Sequence, residues 1–361
     1  MSDKKKVGII GCGGIANGKH MPALNKIEEV EMVAFCDIIL KRAKKAAKEF
    51  GTKKAEVYED YKELLDDDSI DIVHVCTPNK SHSPITVAAL KSGKHVMCEK
   101  PMAKTAAGAK KMLRASKSTG KKLTIGYQNR HRADSTYLKE AVEDGELGDI
   151  YFAKAHAIRR AAVPTWGVFI KEEKQGGGPL IDIGTHALDL TLWMMDNYDP
   201  KYVVGTTYRE LANNKQKALA NNFGPWDTDE FTVEDSAFGF VVMENGATVI
   251  LESSWALNTL DTGEAQTTLC GTEGGADMRD GLRINGQKHG NHFVEKPQLG
   301  EGGVDFFEGE SLGPQDLEAR KWINAVINDD ELVVKPEQAL VVTQILEAIY
   351  ESAEKGQPVY F

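Results

Sequence analysis

From Lys6 to about residue 124, short apolar and β-branched runs alternate with helical segments, the rhythm of a parallel sheet covered on both faces. The runs fall at residues 7–10, 32–36, 72–76, 95–98 and 123–126, and helical composition fills 43–50, 83–91 and 106–118. Gly51, Gly93 and Gly120 stand where helix C-terminal caps belong. After Gly126 the rhythm changes to a helix at 135–144, a strand at 151–158, a glycine turn at 176–178 and a largely apolar helix at 182–194. Residues 237–243 and 247–253 alternate around Glu244-Asn245-Gly246, and Asn-Gly between two such runs predicts a hairpin. Strands joined by hairpins form an antiparallel sheet, so the second half reads as α+β. A Gly- and Glu-rich stretch at 300–313 predicts a loop, and two helices, 316–327 and 337–354, close the chain.

Composition narrows the class without changing this outline. The 361 residues suggest two domains, placed at 1–125 and 126–361, and 41% hydrophobic with 27% charged residues is ordinary for a soluble globular protein. A net charge of −10 argues against a nucleic-acid footprint, and the densest basic stretch, 41–48, reads as a solvated helix face. Without an 18-residue apolar run, a membrane span has no support. The N-terminus runs into the first strand with no apolar leader region, so a cytoplasmic location is expected. The five cysteines include no CxxC pair and read as small apolar residues, not as disulfides or a metal cage.

Candidate chemistry enters at the ends of the first strands. Gly11-Cys-Gly-Gly-Ile-Ala16 matches GxGxxG/A: Gly11 permits a tight turn, Gly13 lets backbone approach a pyrophosphate, and Ala16 allows close helix packing. Gly14 and Ile15 open the following helix. Asp37 ends the second strand, where a carboxylate accepts from ribose hydroxyls and repels a 2′-phosphate, which favours NAD over NADP. Lys41 and Arg42 weigh the other way, since either could neutralise a phosphate. Thr77, Pro78 and Asn79 follow the next strand, and Asn79 and His82 read equally as turn residues or as neighbours of the nicotinamide. Glu99-Lys100-Pro101 follows the run 95–98 and sets an amine at the carboxyl edge of the sheet, where open α/β folds bind ligands. X-Pro bonds adopt cis at modest cost, so a cis Lys100–Pro101 bond is an open option.

In the second half, Asp182, Thr185, His186 and Asp189 share one stripe of an otherwise apolar helix. A solvated face is the plain alternative, but Asp, Thr and His are unlike the Lys and Glu of ordinary surface stripes. Metal ligation by a D-x-x-x-H pair lacks a third ligand, so no metal is expected. Acid–base work by a histidine oriented by a carboxylate is the more economical use.

Together GxGGIA, Asp37, Cys-Thr-Pro-Asn, Glu-Lys-Pro, Gly-Gly-Gly-Pro-Leu-Ile-Asp-Ile-Gly-Thr-His and Lys335-Pro336-Glu337 resemble the Gfo/Idh/MocA family of sugar and polyol oxidoreductases over nearly the whole chain. The resemblance implies an N-terminal Rossmann domain, a C-terminal α+β domain on an open, mainly antiparallel sheet, and assembly as homodimer or homotetramer through that sheet. It implies a catalytic trio of Lys100, Asp182 and His186 acting on a carbohydrate or polyol. It points to Tyr127, Asn129, Arg130, Arg159 and Trp166 as a substrate wall, with core packing the alternative for Trp166, and its pattern resembles members that act on pyranosides. Hydride transfer to NAD from a secondary hydroxyl is the expected reaction. A glycosidase that oxidises its sugar transiently and an NAD-binding sensor without turnover are the other readings.

Overall fold

A computed structural model describes residues 4–299 and 312–361. The expected loop at 300–313 lies almost wholly outside the described residues. The chain forms two compact units: the first holds Met1–Gln128 and Leu312–Leu340, the second Asn129–Ser311 and Val341–Phe361.

The first unit is built on six strands, β1 (Lys5–Ile10), β2 (Val30–Cys36), β3 (Glu56–Tyr58), β4 (Ile72–Val75), β5 (His95–Cys98) and β6 (Leu123–Ile125). They lie in the order β3-β2-β1-β4-β5-β6, every pair parallel. The order reverses between β1 and β4, the crevice in which such sheets bind nucleotides. All four residues of β4 are buried, so the strand is buried on both faces and its apolar residues run on without alternating. The three-residue β3, only partly buried, carries too little pattern to stand out in the sequence.

One core cluster joins Val7, Ile9, Met32, Phe35, Ile72 and Met97 of this sheet to Ala319, Trp322 and Ile323 of the helix Pro314–Asn328. The sequence places everything after residue 125 in one second domain. Instead the apolar face of this late helix completes the core of the first unit, which is why 312–340 belongs there.

The second unit carries a nine-stranded sheet: β7 (Ile150–Ile158), β8 (Pro200–Tyr208), β9 (Ser236–Met243), β10 (Thr248–Ser254), β11 (Gly263–Gly271), β12 (Gly274–Asp277), β13 (Arg283–Lys288), β14 (Asn291–Glu295) and β15 (Val359–Tyr360). Their order is β14-β13-β12-β11-β7-β10-β9-β8-β15. The expected hairpin is present, with Val242 opposite Thr248 and Gly246 at φ 89°, a conformation glycine adopts without steric cost. All neighbouring pairs are antiparallel except β7 with β10. The helix Thr185–Met195 packs on β7 and β11.

Candidate active site

In the first unit the glycine loop is fixed from beneath and open above. Gly11 has φ 92°, and a Cβ there would stand 2.7 Å from the backbone of Cys76, so no larger residue fits. Cβ atoms at Gly13 and Gly14 would meet nothing within 4 Å, which leaves the backbone accessible to a ligand. Asp37 braces the loop: its Oδ2 accepts from the Cys12 amide at 2.9 Å and its Oδ1 from the Ile39 amide at 2.8 Å. A carboxylate has about four acceptor positions, so Asp37 keeps capacity for ribose hydroxyls. Ile15 is exposed beside the loop, and Ala16, fully buried, opens a π-helical turn, Ala16–His20.

The loop after β4 meets this cradle from the side. The Thr77 amide lies against Gly11, and Thr77 Oγ1 is buried with no partner among the described residues. Pro78 leads into a short 3₁₀ turn, Asn79–Ser81, and Asn79 is buried. The open glycines, the acceptor at Asp37 and the orphaned Thr77 hydroxyl fit a dinucleotide.

Two candidate cofactor neighbours, His82 and Glu99, turn their side chains inward. His82 is fully buried, with Nδ1 2.8 Å from the Pro101 carbonyl and Nε2 2.8 Å from the Thr77 carbonyl, so its ring ties two loops together and has no nitrogen left for the nicotinamide. Burial lowers its pKa despite those carbonyl neighbours. Glu99 is likewise enclosed. Its Oε1 accepts from Lys19 Nζ and His20 Nε2, each at 2.8 Å, and its Oε2 from the Lys100 amide at 3.2 Å. Burial alone would raise the Glu99 carboxyl, but Lys19 and His20 hold it well below the usual carboxylate range.

Behind Glu99 lies a cluster that sequence reasoning missed. Lys19 also reaches Glu318 Oε2 at 2.9 Å, and His20 Nδ1 faces His74 Nδ1 at 3.0 Å. One lysine thus serves two buried carboxylates. Glu99 remains ionised, whereas burial pushes Glu318 up against the pull of Lys19. His20 thus bridges Glu99 and His74, and burial lowers the His74 pKa strongly. Lys100, half-buried, follows directly, and the Lys100–Pro101 bond is cis.

In the second unit a π-helical turn, Leu180–Gly184, precedes the α-helix Thr185–Met195. This turn displaces the stripe expected from 3.6-residue arithmetic. Only Asp182 is half-buried; His186 keeps 9% exposure, and Thr185 and Asp189 are buried almost completely. Asp182 Oδ2 accepts from Trp255 Nε1 at 3.0 Å, a contact with no sequence signal. Trp255 is fully buried and stacked edge-on against Phe231, so it presents Asp182 from a rigid base.

The expected substrate wall divides. Arg130 is 1% exposed and grips Asp189 through two bonds, Nε to Oδ2 at 2.9 Å and a terminal guanidinium nitrogen to Oδ1 at 2.6 Å, so it is structural. Tyr127 is fully buried and presents no surface. Arg159, partly exposed, donates to both oxygens of Glu264 and to the Ala162 carbonyl, which fixes its guanidinium in place. Asn129 is half-buried. Trp166 is 53% exposed, with its ring 5.0 Å from Phe223 and 5.9 Å from Phe169, so core packing does not describe it. Among the described residues no cluster of metal-ligating side chains occurs.

A parallel sheet with this glycine cradle and acidic β2 terminus defines a dinucleotide-dependent enzyme. Residues 5–127 match the family model described as "Oxidoreductase family, NAD-binding Rossmann fold", and residues 139–361 match "Oxidoreductase family, C-terminal alpha/beta domain". The chain belongs to the Gfo/Idh/MocA family of oxidoreductases. It is 34% identical over 358 residues to D-glucoside 3-dehydrogenase of Escherichia coli K12, covering 99% of this chain and 98% of that one. Its fold is shared with an aldose-aldose oxidoreductase from Caulobacter crescentus solved with glycerol, at TM-score 0.79 and 24% identity over 99% of this chain and 100% of the other. A levoglucosan dehydrogenase solved with NADH aligns at TM-score 0.81 and 22% identity over 99% of each chain.

Proposed function

We propose that this NAD-dependent oxidoreductase oxidises a secondary hydroxyl of a sugar, glycoside or polyol, with Lys100 of the first unit and Asp182 and His186 of the second as its catalytic residues. Bound NAD supplies the hydride acceptor. Loss of hydride from the carbinol carbon leaves a carbonyl only if the hydroxyl proton departs too, and His186 takes that proton as general base. Lys100 donates a hydrogen bond to the same oxygen and stabilises the negative charge that develops there. Asp182 orients the pair and balances their charge. The observation that carries this reading is Asp182 itself, a partly exposed carboxylate fixed by Trp255 at 3.0 Å on the helical segment that bears His186.

Trp166 offers its exposed face to the apolar C–H side of a pyranose ring. Likeness to the glucoside dehydrogenase makes glucosides the first substrates to try. On the sheet, Val204, Tyr208, Phe240 and Tyr360 expose apolar surface that supports assembly of like subunits there. No described helix is long and apolar enough to cross a membrane, and the free cysteines suit a reducing cytoplasm.

The test is NADH formation on a panel of glucosides, inositols and sugar acids, with Lys100→Met alongside. Oxidation by the wild type and a severe loss in the variant support the assignment; equal rates refute the role of Lys100. Cleavage of an aryl glucoside with no net NADH would mark a glycosidase instead, and NAD binding without either reaction would mark a sensor.

A further inference from the structure

The glycine turn that leads into the helix of Asp182 and His186 is held by a buried carboxylate. Glu234, just before β9, accepts from the Gly178 amide at 2.9 Å through each oxygen, and from the Leu180 amide at 3.2 Å. Tyr350 Oη donates to the same carboxylate at 2.8 Å. These partners leave no space for side chains on the turn: a Cβ at Gly177 would stand 2.0 Å from Tyr350 Oη, and one at Gly178 would stand 2.2 Å from the Glu234 carbonyl oxygen. Gly178 in turn accepts from the Asp182 amide at 3.0 Å. The path from Glu234 to Asp182 is therefore two hydrogen bonds long. A negative charge at a helix N-terminus also suits the helix dipole.

We propose that Glu234 is a positioning residue for the reaction: its carboxylate, locked by Tyr350, sets the turn at 176–178 and thereby the placement of Asp182 and His186. This rests on the catalytic reading of those two residues. Glu234 acts through the backbone and touches neither substrate nor cofactor. Burial drives its carboxyl up to about 7, against the pull of the Gly178 amide and the Tyr350 hydroxyl, so the lock has two protonation states near neutral pH. Protonated, the carboxyl needs an acceptor, and Tyr350 can provide one only by reversing its hydroxyl. Tyr350 is the titratable side chain bonded to Glu234 among the described residues, and Glu172 acts on Tyr350.

The test uses the full chain with Glu234→Gln and the milder Tyr350→Phe, assayed well below their melting temperatures on a substrate the wild type oxidises. Displacing catalytic groups by about 1 Å costs on the order of 10²-fold, so kcat should fall by about that factor in Glu234→Gln and by less in Tyr350→Phe. KM for NAD should stay unchanged, and the amides of Gly178 and Leu180 should exchange hydrogen faster in both. Variants that melt lower yet keep wild-type kcat would overturn the proposal, as would unchanged exchange at Gly178. A wild type that oxidises nothing on the panel would sink the catalytic reading instead, and the exchange rates would still show whether Glu234 holds the turn.

Discussion

Arg130→Met tests whether Arg130 serves the fold and not the substrate. Arg130 and Asp189 form a two-bonded ion pair, and both side chains are essentially inaccessible. The guanidinium also lies 5.5 Å from the centre of the Trp193 ring. Methionine preserves the apolar stem but strands the carboxylate. Burial already raises the Asp189 pKa against the pull of Arg130, so without its partner the folded protein takes up a proton that the unfolded chain releases. Breaking a buried pair from one side costs about 3–5 kcal/mol, which at roughly 2–4 °C per kcal/mol lowers Tm by about 6–20 °C. The deficit should shrink as pH falls from 8 to 5, because the proton that the folded variant takes up then costs less. Arg130→Met with Asp189→Leu should recover most of the loss, since no buried charge remains. Calorimetry and urea unfolding from pH 5 to 8 would measure all three proteins. A single variant that loses less than about 1 kcal/mol, with a double variant worse than the single, would refute the reasoning. If the double variant folds but loses saturation by sugar, Arg130 contacts substrate after all.

Asp37→Ser should weaken NAD by about ten- to a hundredfold and NADP by less, because one or two charge-assisted bonds to ribose disappear along with repulsion of a 2′-phosphate; a wild type that already prefers NADP contradicts the argument. His95, held down to about 4 first by burial and then by Lys121 and Lys122, is neutral in the fold while the unfolded imidazole titrates near 6.5. Its contribution to stability is complete above 6.5 and is lost as pH falls toward 4, so urea midpoints of His95→Gln should decline less over that window than those of the wild type. Cys12 and Cys36, pushed up to about 12 by burial and the charge of Asp37, carry almost no thiolate at neutral pH. Brief maleimide treatment of folded protein should therefore label at most the partly exposed Cys270, read by mass, and rapid labelling of Cys12 would show that the glycine loop is open.

What the sequence made legible follows from short-range physics. Strand runs, the Asn245-Gly246 turn and the glycine cradle are local patterns, and each appears at or within a few residues of its expected position. Parallel pairing of β7 with β10 and the return of Pro314–Asn328 to the first core are long-range outcomes that no local window contains. The polar stripe of Asp182, Thr185, His186 and Asp189 is only half legible, since the π turn at Leu180–Gly184 changes the residue spacing before the α-helix begins. Residue type marks Arg130, Glu99 and His82 as candidate ligand contacts, yet Arg130 and Glu99 are spent on partners 59 to 80 residues away and His82 on two backbone carbonyls. Trp255 and Glu234 carried no signal because their importance lies in which atoms they meet.

Loss of the base is the most direct test of the central claim. On a glycoside or polyol that the wild type oxidises, the rate of NADH formation by His186→Asn should fall by about 10²- to 10⁴-fold, with NAD affinity retained. A variant that matches the wild type would show that the proton leaves by another route and that the assigned chemistry is wrong.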